Sequence, residues 1–75
     1  MKSVLDSKTQ ELSAIAASIA AHCQPCFEYH IKMAKEAGAT PSEIRAVIKL
    51  AGMIREAGNK NMDEFVDKII KLNNK

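Results

Sequence analysis

The sequence is poor in aromatic residues and in the residues that break regular structure. It has no tryptophan, one tyrosine and two phenylalanines, and aromatics make up 4% of its 75 residues. Because 47% of the residues are hydrophobic, an ordinary fraction for a globular protein, the core must be aliphatic. Three glycines and two prolines leave no linker, repeat or low-complexity tract, and no segment shows strand alternation.

The chain also lacks a strong charge of either sign and a long hydrophobic run. Its net charge is +2, with acids and bases interspersed, so no basic nucleic-acid footprint is present. No run is long enough to span a bilayer. The alanine-rich residues 14–21 follow Asp6, Lys8 and Glu11, which is untypical of a signal peptide. We therefore predict a cytoplasmic protein with neither a nucleic-acid nor a membrane partner.

The length of 75 residues predicts a single domain over residues 1–75. A domain of this size buries only about 60% of the surface that its unfolded chain exposes. Small domains usually need a disulfide, a metal or association to become stable, and a Cys-x-x-Cys pair closes too short a loop to stabilise a fold. We expect the chain to form homo-oligomers.

Helix signals divide the chain into four short helices, so the predicted fold class is all-α, a small bundle. Helix 1 should begin near Lys8, capped by Ser7 with Gln10, and weaken before Pro25, where helix 2 begins; one helix kinked at Pro25 is the alternative. Gly38 should end helix 2. Thr40, Pro41 and Glu43 form a capping box for helix 3. Gly58 should end helix 3, and Asn61 with Glu64 should start helix 4.

Each predicted helix carries an apolar face at helical spacing. Helix 3 is apolar over a wide arc that includes Leu50 and Met53, which indicates burial against two neighbours, one of them in another subunit. The residues at this spacing are Leu12, Ile15, Ala16, Ile19, Ala20 and Cys23 in helix 1; Cys26, Phe27, His30, Ile31 and Ala34, expected to face inward, in helix 2; Ile44, Val47, Ile48, Ala51 and Ile54 in helix 3; and Met62, Phe65, Val66, Ile69, Ile70 and Leu72 in helix 4.

The two cysteines of the chain, Cys23 and Cys26, lie at the start of predicted helix 2. A cysteine reacts as its thiolate, and the N–H groups and dipole at a helix N-terminus favour that anion. His30 shares a helix face with Cys26 and could take its proton. The pair therefore indicates reversible dithiol chemistry, in which the site attacks a peroxide or disulfide and then closes to a Cys23–Cys26 disulfide; the position at a helix N-terminus does not by itself say which thiol attacks.

Other interpretations of these residues stay open at this point. Cys23, Cys26 and His30, with His22 adjacent, could hold zinc, and the chain would then be a metal-binding or structural helical oligomerisation module without catalysis. Buried cysteines can also be inert small hydrophobes. A thioredoxin fold needs a strand before the motif, and here a helical pattern precedes it. Glu11 by itself is a surface charge.

The motif as a whole resembles a known family. Glu11 lies twelve residues before Cys23, Cys23-Gln24-Pro25-Cys26 leads to His30, and Gly-Ala-Thr-Pro-Ser-Glu-Ile-Arg follows at residues 38–45. This pattern is similar to the alkylhydroperoxidase D-like branch of the carboxymuconolactone decarboxylase family, over roughly residues 11–66. The resemblance implies an all-helical fold in homotrimers or homohexamers, with no cofactor and no metal. The decarboxylase branch typically lacks the cysteine pair, so lactone decarboxylation is not expected.

The resemblance also implies an activity and a role for each residue. The activity would be that of an oxidoreductase, a thiol-dependent peroxidase or disulfide reductase that uses a hydroperoxide or disulfide substrate and an external thiol reductant. Cys26 would attack the peroxide, Cys23 would donate a proton and resolve the intermediate, and Glu11 and His30 would relay protons through water. Some full-length members carry a histidine between the cysteines; Pro25 stands there in this chain, which would weaken peroxide turnover.

Overall fold

The computed structural model describes residues 4–73, which form three α-helices. These are α1 (Ser7–Ala20), α2 (Gln24–Glu36) and α3 (Pro41–Asn73). The described residues contain no strand, so the predicted all-α class is confirmed. The prediction of four helices is wrong, because the segments expected as helices 3 and 4 are one helix of 33 residues.

Asp6 caps α1, one residue earlier than the sequence signal placed the cap. Its carboxylate accepts a hydrogen bond from the backbone N–H of Thr9 at 2.7 Å, and Ser7 is already the first helical residue. This hydrogen bond is the main cause of a lowered pKa for Asp6, since it stabilises the charged form. An aspartate is as good a cap as a serine.

The end of α1 is a Schellman motif in which a histidine occupies the left-handed position. His22 has a φ of +57°. Its N–H donates to the carbonyl of Ile19 at 3.2 Å, and the N–H of Cys23 donates to the carbonyl of Ser18 at 3.0 Å. Glycine usually fills this position because it has no side chain to clash. The motif reverses the chain within three residues and sets Cys23 as the N-cap of α2.

The junction between α2 and α3 uses the residues that the sequence predicted. Gly38 has a φ of +92° and forms a second Schellman motif, completed by the N–H of Ala39, which donates to the carbonyl of Ala34 at 2.9 Å. Thr40 and Glu43 form the capping box: the N–H of Thr40 donates to Glu43 Oε1 at 2.8 Å, and the N–H of Glu43 donates to Thr40 Oγ1 at 3.1 Å.

An ion pair ties this capping box to α1. Lys8 Nζ lies 3.0 Å from Glu43 Oε2, with both side chains partly exposed. The pKa of Glu43 is lowered, first by the backbone hydrogen bond from Thr40 and then by Lys8. The start of α3 is therefore fixed to the first turn of α1.

The core is small and lies between the three helices. α1 packs against both α2 and α3. Buried hydrophobic residues are Ile15, Ala34, Ala39, Ile44 and Ala51, with Leu12, Ile19, Phe27, Ile31, Val47 and Ile48 partly buried around them. Ser18 is also buried, and its hydroxyl donates to the carbonyl of Ala14 at 2.7 Å. The alanines let the helices approach closely.

Most of the predicted apolar faces are at least partly buried up to Ala51, whereas the residues beyond it are exposed. Ile54 is 61% exposed, and the apolar residues expected in helix 4 are all exposed, because α3 continues past the ends of α1 and α2. The prediction for Ala20 is also wrong, since this last residue of α1 is exposed.

The molecule is consequently elongated, measuring 57 × 29 × 21 Å. None of the helices in the described part of the chain combines the length and hydrophobicity that crossing a membrane requires.

Candidate functional site

Cys23 and Cys26 are joined by a disulfide bond, with their Cα atoms 5.3 Å apart. As the N-cap residue, Cys23 also receives a helix N–H group: the backbone N–H of Cys26 donates to Cys23 Sγ at 3.3 Å. Pro25, in the first turn of α2, costs no hydrogen bond because the N–H groups there have no intrahelical partner. A helix N-terminus therefore faces the sulfur of Cys23, and a negative charge on that sulfur would be stabilised.

The two cysteines differ in exposure. Cys26 is exposed, whereas Cys23 is partly buried. The sequence-based assignment of Cys26 to the inward face of helix 2 is wrong, because the first turn of α2 carries this residue outside the packing with α1. A reagent in solvent therefore reaches Cys26 more easily than Cys23.

Glu11 and His30 form the second part of the site. They come from α1 and α2, nineteen positions apart, and His30 Nδ1 lies 2.6 Å from Glu11 Oε2. The side chain of Glu11 is 13% exposed and that of His30 is 29% exposed. A carboxylate at Nδ1 holds that nitrogen as the donor, which leaves Nε2 able to exchange a proton. The ring of Tyr29 packs edge-on against the imidazole, 5.0 Å between centroids.

His30 and Cys26 lie one turn apart on α2, so the acid–imidazole pair in the middle of the helix is one turn from the disulfide at its N-terminus. Within residues 4–73, no direct hydrogen bond joins the imidazole to either sulfur. The structure thus brings Glu11 to His30 directly, and it brings the two cysteines together as a separate pair nearby.

A groove of about 720 Å³ opens beside the disulfide. Its apolar wall is made by Ile19, Phe27, Ile31 and Ile48, and its polar positions include His22, Cys23, Glu28 and Arg55. Cys23 lines the groove and Cys26 does not. The groove was not predicted from the sequence. Gly52 and Arg55 could have indicated it, because they stand at positions of α3 with the apolar spacing but supply no apolar side chain to fill the groove.

The zinc hypothesis required the cysteines and a histidine to converge. In the described part of the chain, no three residues among His, Cys, Asp and Glu are placed to hold a metal ion together. His30 is instead paired with Glu11, and His22 lies in the turn at the groove.

Comparison with known proteins gave one match. A sequence model described as the carboxymuconolactone decarboxylase family matches residues 1–61, which confirms the resemblance seen in the spacing of Glu11, Cys23, Cys26 and His30. Neither curated proteins nor solved structures gave a match to this chain.

Proposed function

The chain belongs to the carboxymuconolactone decarboxylase family, and from that premise we propose that it is a thiol-dependent oxidoreductase. In this proposal Cys23 and Cys26 cycle between the dithiol and the disulfide while a hydroperoxide or a disulfide substrate is reduced. The observation that carries it is a Cys-x-x-Cys disulfide at a helix N-terminus, one turn from an imidazole that a carboxylate orients.

The peroxide half-reaction starts from the reduced pair. The thiolate of Cys26 attacks the terminal peroxide oxygen, the O–O bond breaks, and an alcohol leaves after taking up a proton. Cys26 is then a sulfenic acid. The thiolate of Cys23 attacks the Cys26 sulfur, the S–O bond breaks, and water leaves as the disulfide forms. The exposure of Cys26 and its spacing from His30 support this order of attack.

Glu11 and His30 serve as the proton relay in this scheme. The carboxylate of Glu11 keeps Nδ1 of His30 protonated, so that Nε2 can accept the thiol proton of Cys26 and return it to the leaving alkoxide, with a water molecule spanning the gap. Relays of this kind contribute roughly 10²–10⁴-fold to rate. This proposed role raises Glu11 from a surface charge to a site residue.

An external thiol closes the cycle. Its thiolate attacks the Cys23–Cys26 disulfide, a mixed disulfide forms, and a second thiol releases the reduced pair, so that two electrons enter for each substrate molecule. A disulfide substrate would be reduced by the same steps in reverse. Since the cycle needs a reducing supply of thiols, we place the protein in the cytoplasm.

Peroxide consumption by the reduced protein tests the proposal directly. With tert-butyl hydroperoxide and dithiothreitol, the unmodified chain should consume peroxide, and Cys26→Ser should abolish consumption. After dithiothreitol is removed, Cys23→Ser should consume one equivalent of peroxide and leave a sulfenic acid that dimedone traps at Cys26. Equal consumption by Cys26→Ser and the unmodified chain would contradict the proposal.

Metal analysis of the same samples gives the control against the zinc alternative. Stoichiometric zinc in the purified protein, with loss of helical structure on chelation and no peroxide consumption, would favour the structural module. A metal-free protein that forms the disulfide on adding peroxide supports the enzyme.

A further inference from the structure

Two of the three helices leave a space between them. α1 packs against both α2 and α3, but the backbones of α2 and α3 hardly approach each other. Steps of three and four residues place one stripe of each helix along this space. We call the space the α2–α3 trough, and the residues that define it are Phe27, Ile31 and Lys35 on α2 with Ile44, Ile48 and Gly52 on α3.

The trough has two parts that meet at Ile31. One part is the groove of about 720 Å³ beside Cys23, and the other is a hollow of about 350 Å³ next to the turn between α2 and α3; Ile31 lines both. Phe27, Ile31 and Ile48 pack against the core on one side and stay only partly buried. Clefts of about 300–1,000 Å³ with apolar walls between helices are typical sites for small molecules.

Gly52 keeps the groove open on the α3 side. It lines the groove, and a β-carbon at this position would meet no atom within 4 Å. A larger apolar residue would both fill the space and favour the helix, because glycine is a poor helix former. The chain thus has its smallest residue at a helical position where a side chain would close the cavity.

The two ends of the trough differ in charge. Lys35 and Arg45 line the hollow without an acidic residue, and within residues 4–73 neither of them has an ion-pair partner. At the other end, Arg55 and Glu28 both line the groove, so their charges offset each other. An anion is therefore favoured at the Lys35–Arg45 end, and an uncharged apolar group is favoured along the rest of the trough.

We propose that the trough binds a straight-chain carboxylate, a free fatty-acid anion of medium length. Its carboxylate lies between Lys35 and Arg45, and its methyl end lies beside Cys23. Eleven positions separate Lys35 from Gln24, or about 16 Å along a helix, and an extended chain of about ten to twelve carbons covers about 11–14 Å of this length. The binding needs neither a proton nor an electron from the site, so it does not depend on the activity proposed above.

The bound chain has a consequence for the two cysteines. Cys23 lines the groove and Cys26 does not, so the methyl end covers the sulfur of Cys23 and leaves Cys26 open to solvent. Occupation of the trough therefore increases the difference in exposure between the two sulfurs.

Titration calorimetry with decanoate tests the binding on the full chain in its disulfide form. One decanoate should bind to each chain. Hexanoate should bind about 100-fold more weakly, because it lacks four of the methylene groups that the trough buries. The absence of saturable binding at millimolar decanoate, or equal affinities for the two acids, would overturn the proposal.

Filling the groove tests the place of binding. Gly52→Leu should weaken decanoate binding by about 10-fold or more, the equivalent of about two methylene groups, with its helical circular dichroism retained. Gly58→Leu is the matched control, because Gly58 is an exposed glycine of α3 outside the trough. Its affinity should equal that of the unmodified chain. Equal affinities of the two variants would show that decanoate binds elsewhere.

Charge removal tests the position of the carboxylate. Lys35→Gln combined with Arg45→Gln should weaken decanoate binding about 10-fold, the lower end for hydrogen bonds to charged groups, because both cations are exposed. Binding of decanol, which has no charge, should not change. Lys32→Gln combined with Lys49→Gln removes the same charge from exposed positions outside the trough and should have no effect. An equal loss in both double variants would contradict a carboxylate at Lys35 and Arg45.

Alkylation of the reduced protein locates the methyl end. Saturating decanoate should slow the reaction of iodoacetamide at Cys23 more than at Cys26, as measured by mass spectrometry of the two modified forms. Protection of Cys26 alone, or of neither cysteine, would overturn the proposed orientation. None of these measurements uses peroxide, so a failure of the proposed activity would leave their outcome unchanged.

Discussion

Glu11 reaches the site through the packing of α1 against α2, because nineteen positions separate it from His30 along the chain. Its carboxylate is mostly buried, and the imidazole is the partner that compensates for the loss of water. A carboxylate in this position orients the ring as well as supplying charge. Its contribution to catalysis and its contribution to stability can therefore be separated by a substitution that keeps the shape.

Glu11→Gln is such a substitution. We expect peroxide consumption to fall about 100-fold, the lower end of a general acid–base contribution, because the amide cannot hold a charged imidazole. The free energy of unfolding should fall by about 1.5–3 kcal/mol, the value of a hydrogen bond to a charged group. The measurements are coupled peroxide assays and urea denaturation.

Glu36→Gln is the matched control, since Glu36 is exposed in the last turn of α2. Both its activity and its stability should equal those of the unmodified chain. If Glu11→Gln retained full activity, the relay would have no catalytic role, whatever happened to stability.

At this scale the structure pairs the residues that the sequence singled out, Glu11 with His30 and Cys23 with Cys26. Cys23, Cys26 and His30 followed from spacing, and Glu11 followed only from the family resemblance. The exposure of Cys26 was not predicted. Helical periodicity shows which residues share a face of a helix, but it does not show which turns of that helix pack against a neighbour. Arg55 was missed because the residues that line the groove with it come from three different helices.

The element that the sequence described least well is α3. Gly58 suggested a helix end, and Asn61 with Glu64 suggested a new cap, yet helical structure continues through all of them. A glycine inside a helix costs only about 1 kcal/mol relative to alanine, and no proline or left-handed residue reinforces the break. By contrast, Gly38 and the Thr40–Glu43 box agree with each other, and the boundary there was predicted correctly.

Continuity of α3 predicts the effect of Gly58→Ala. A β-carbon at Gly58 would meet no atom within 4 Å, so the substitution should stabilise the helix by about 0.5–1 kcal/mol. The measurement is thermal and urea denaturation followed by circular dichroism, in the Phe65→Asp background, so that association does not contribute. Loss of stability would show that the chain turns at Gly58, as the sequence first suggested.

At the scale of the whole molecule, the described residues bury few large side chains, and this limits the stability of the fold. Of the buried hydrophobic residues in the described range, three are alanines and two are isoleucines, and a fully buried isoleucine contributes about 1.5–3 kcal/mol. The composition indicated an aliphatic core, and many of the aliphatic residues it includes lie after position 54, where they are exposed. Those side chains can add to stability only when another surface covers them.

Stability should therefore depend on protein concentration. Association stabilises the folded chain by mass action, so raising the concentration from about 1 to about 100 µM should raise the melting temperature by roughly 5–10 °C. Differential scanning calorimetry at several concentrations gives the measurement. The melting temperature of Phe65→Asp should be independent of concentration; the same independence in the unmodified chain would show that no association stabilises it.

The left-handed turn at His22 limits the number of residues that can connect α1 to α2. Its two backbone hydrogen bonds fix the last turn of α1 to the residue that caps α2. One residue inserted or deleted in the turn at residues 21–23 would break these hydrogen bonds and carry the imidazole away from the carboxylate. Natural variants that keep the chemistry should thus share the same register across this hairpin, whereas additions beyond Leu72 would leave it undisturbed.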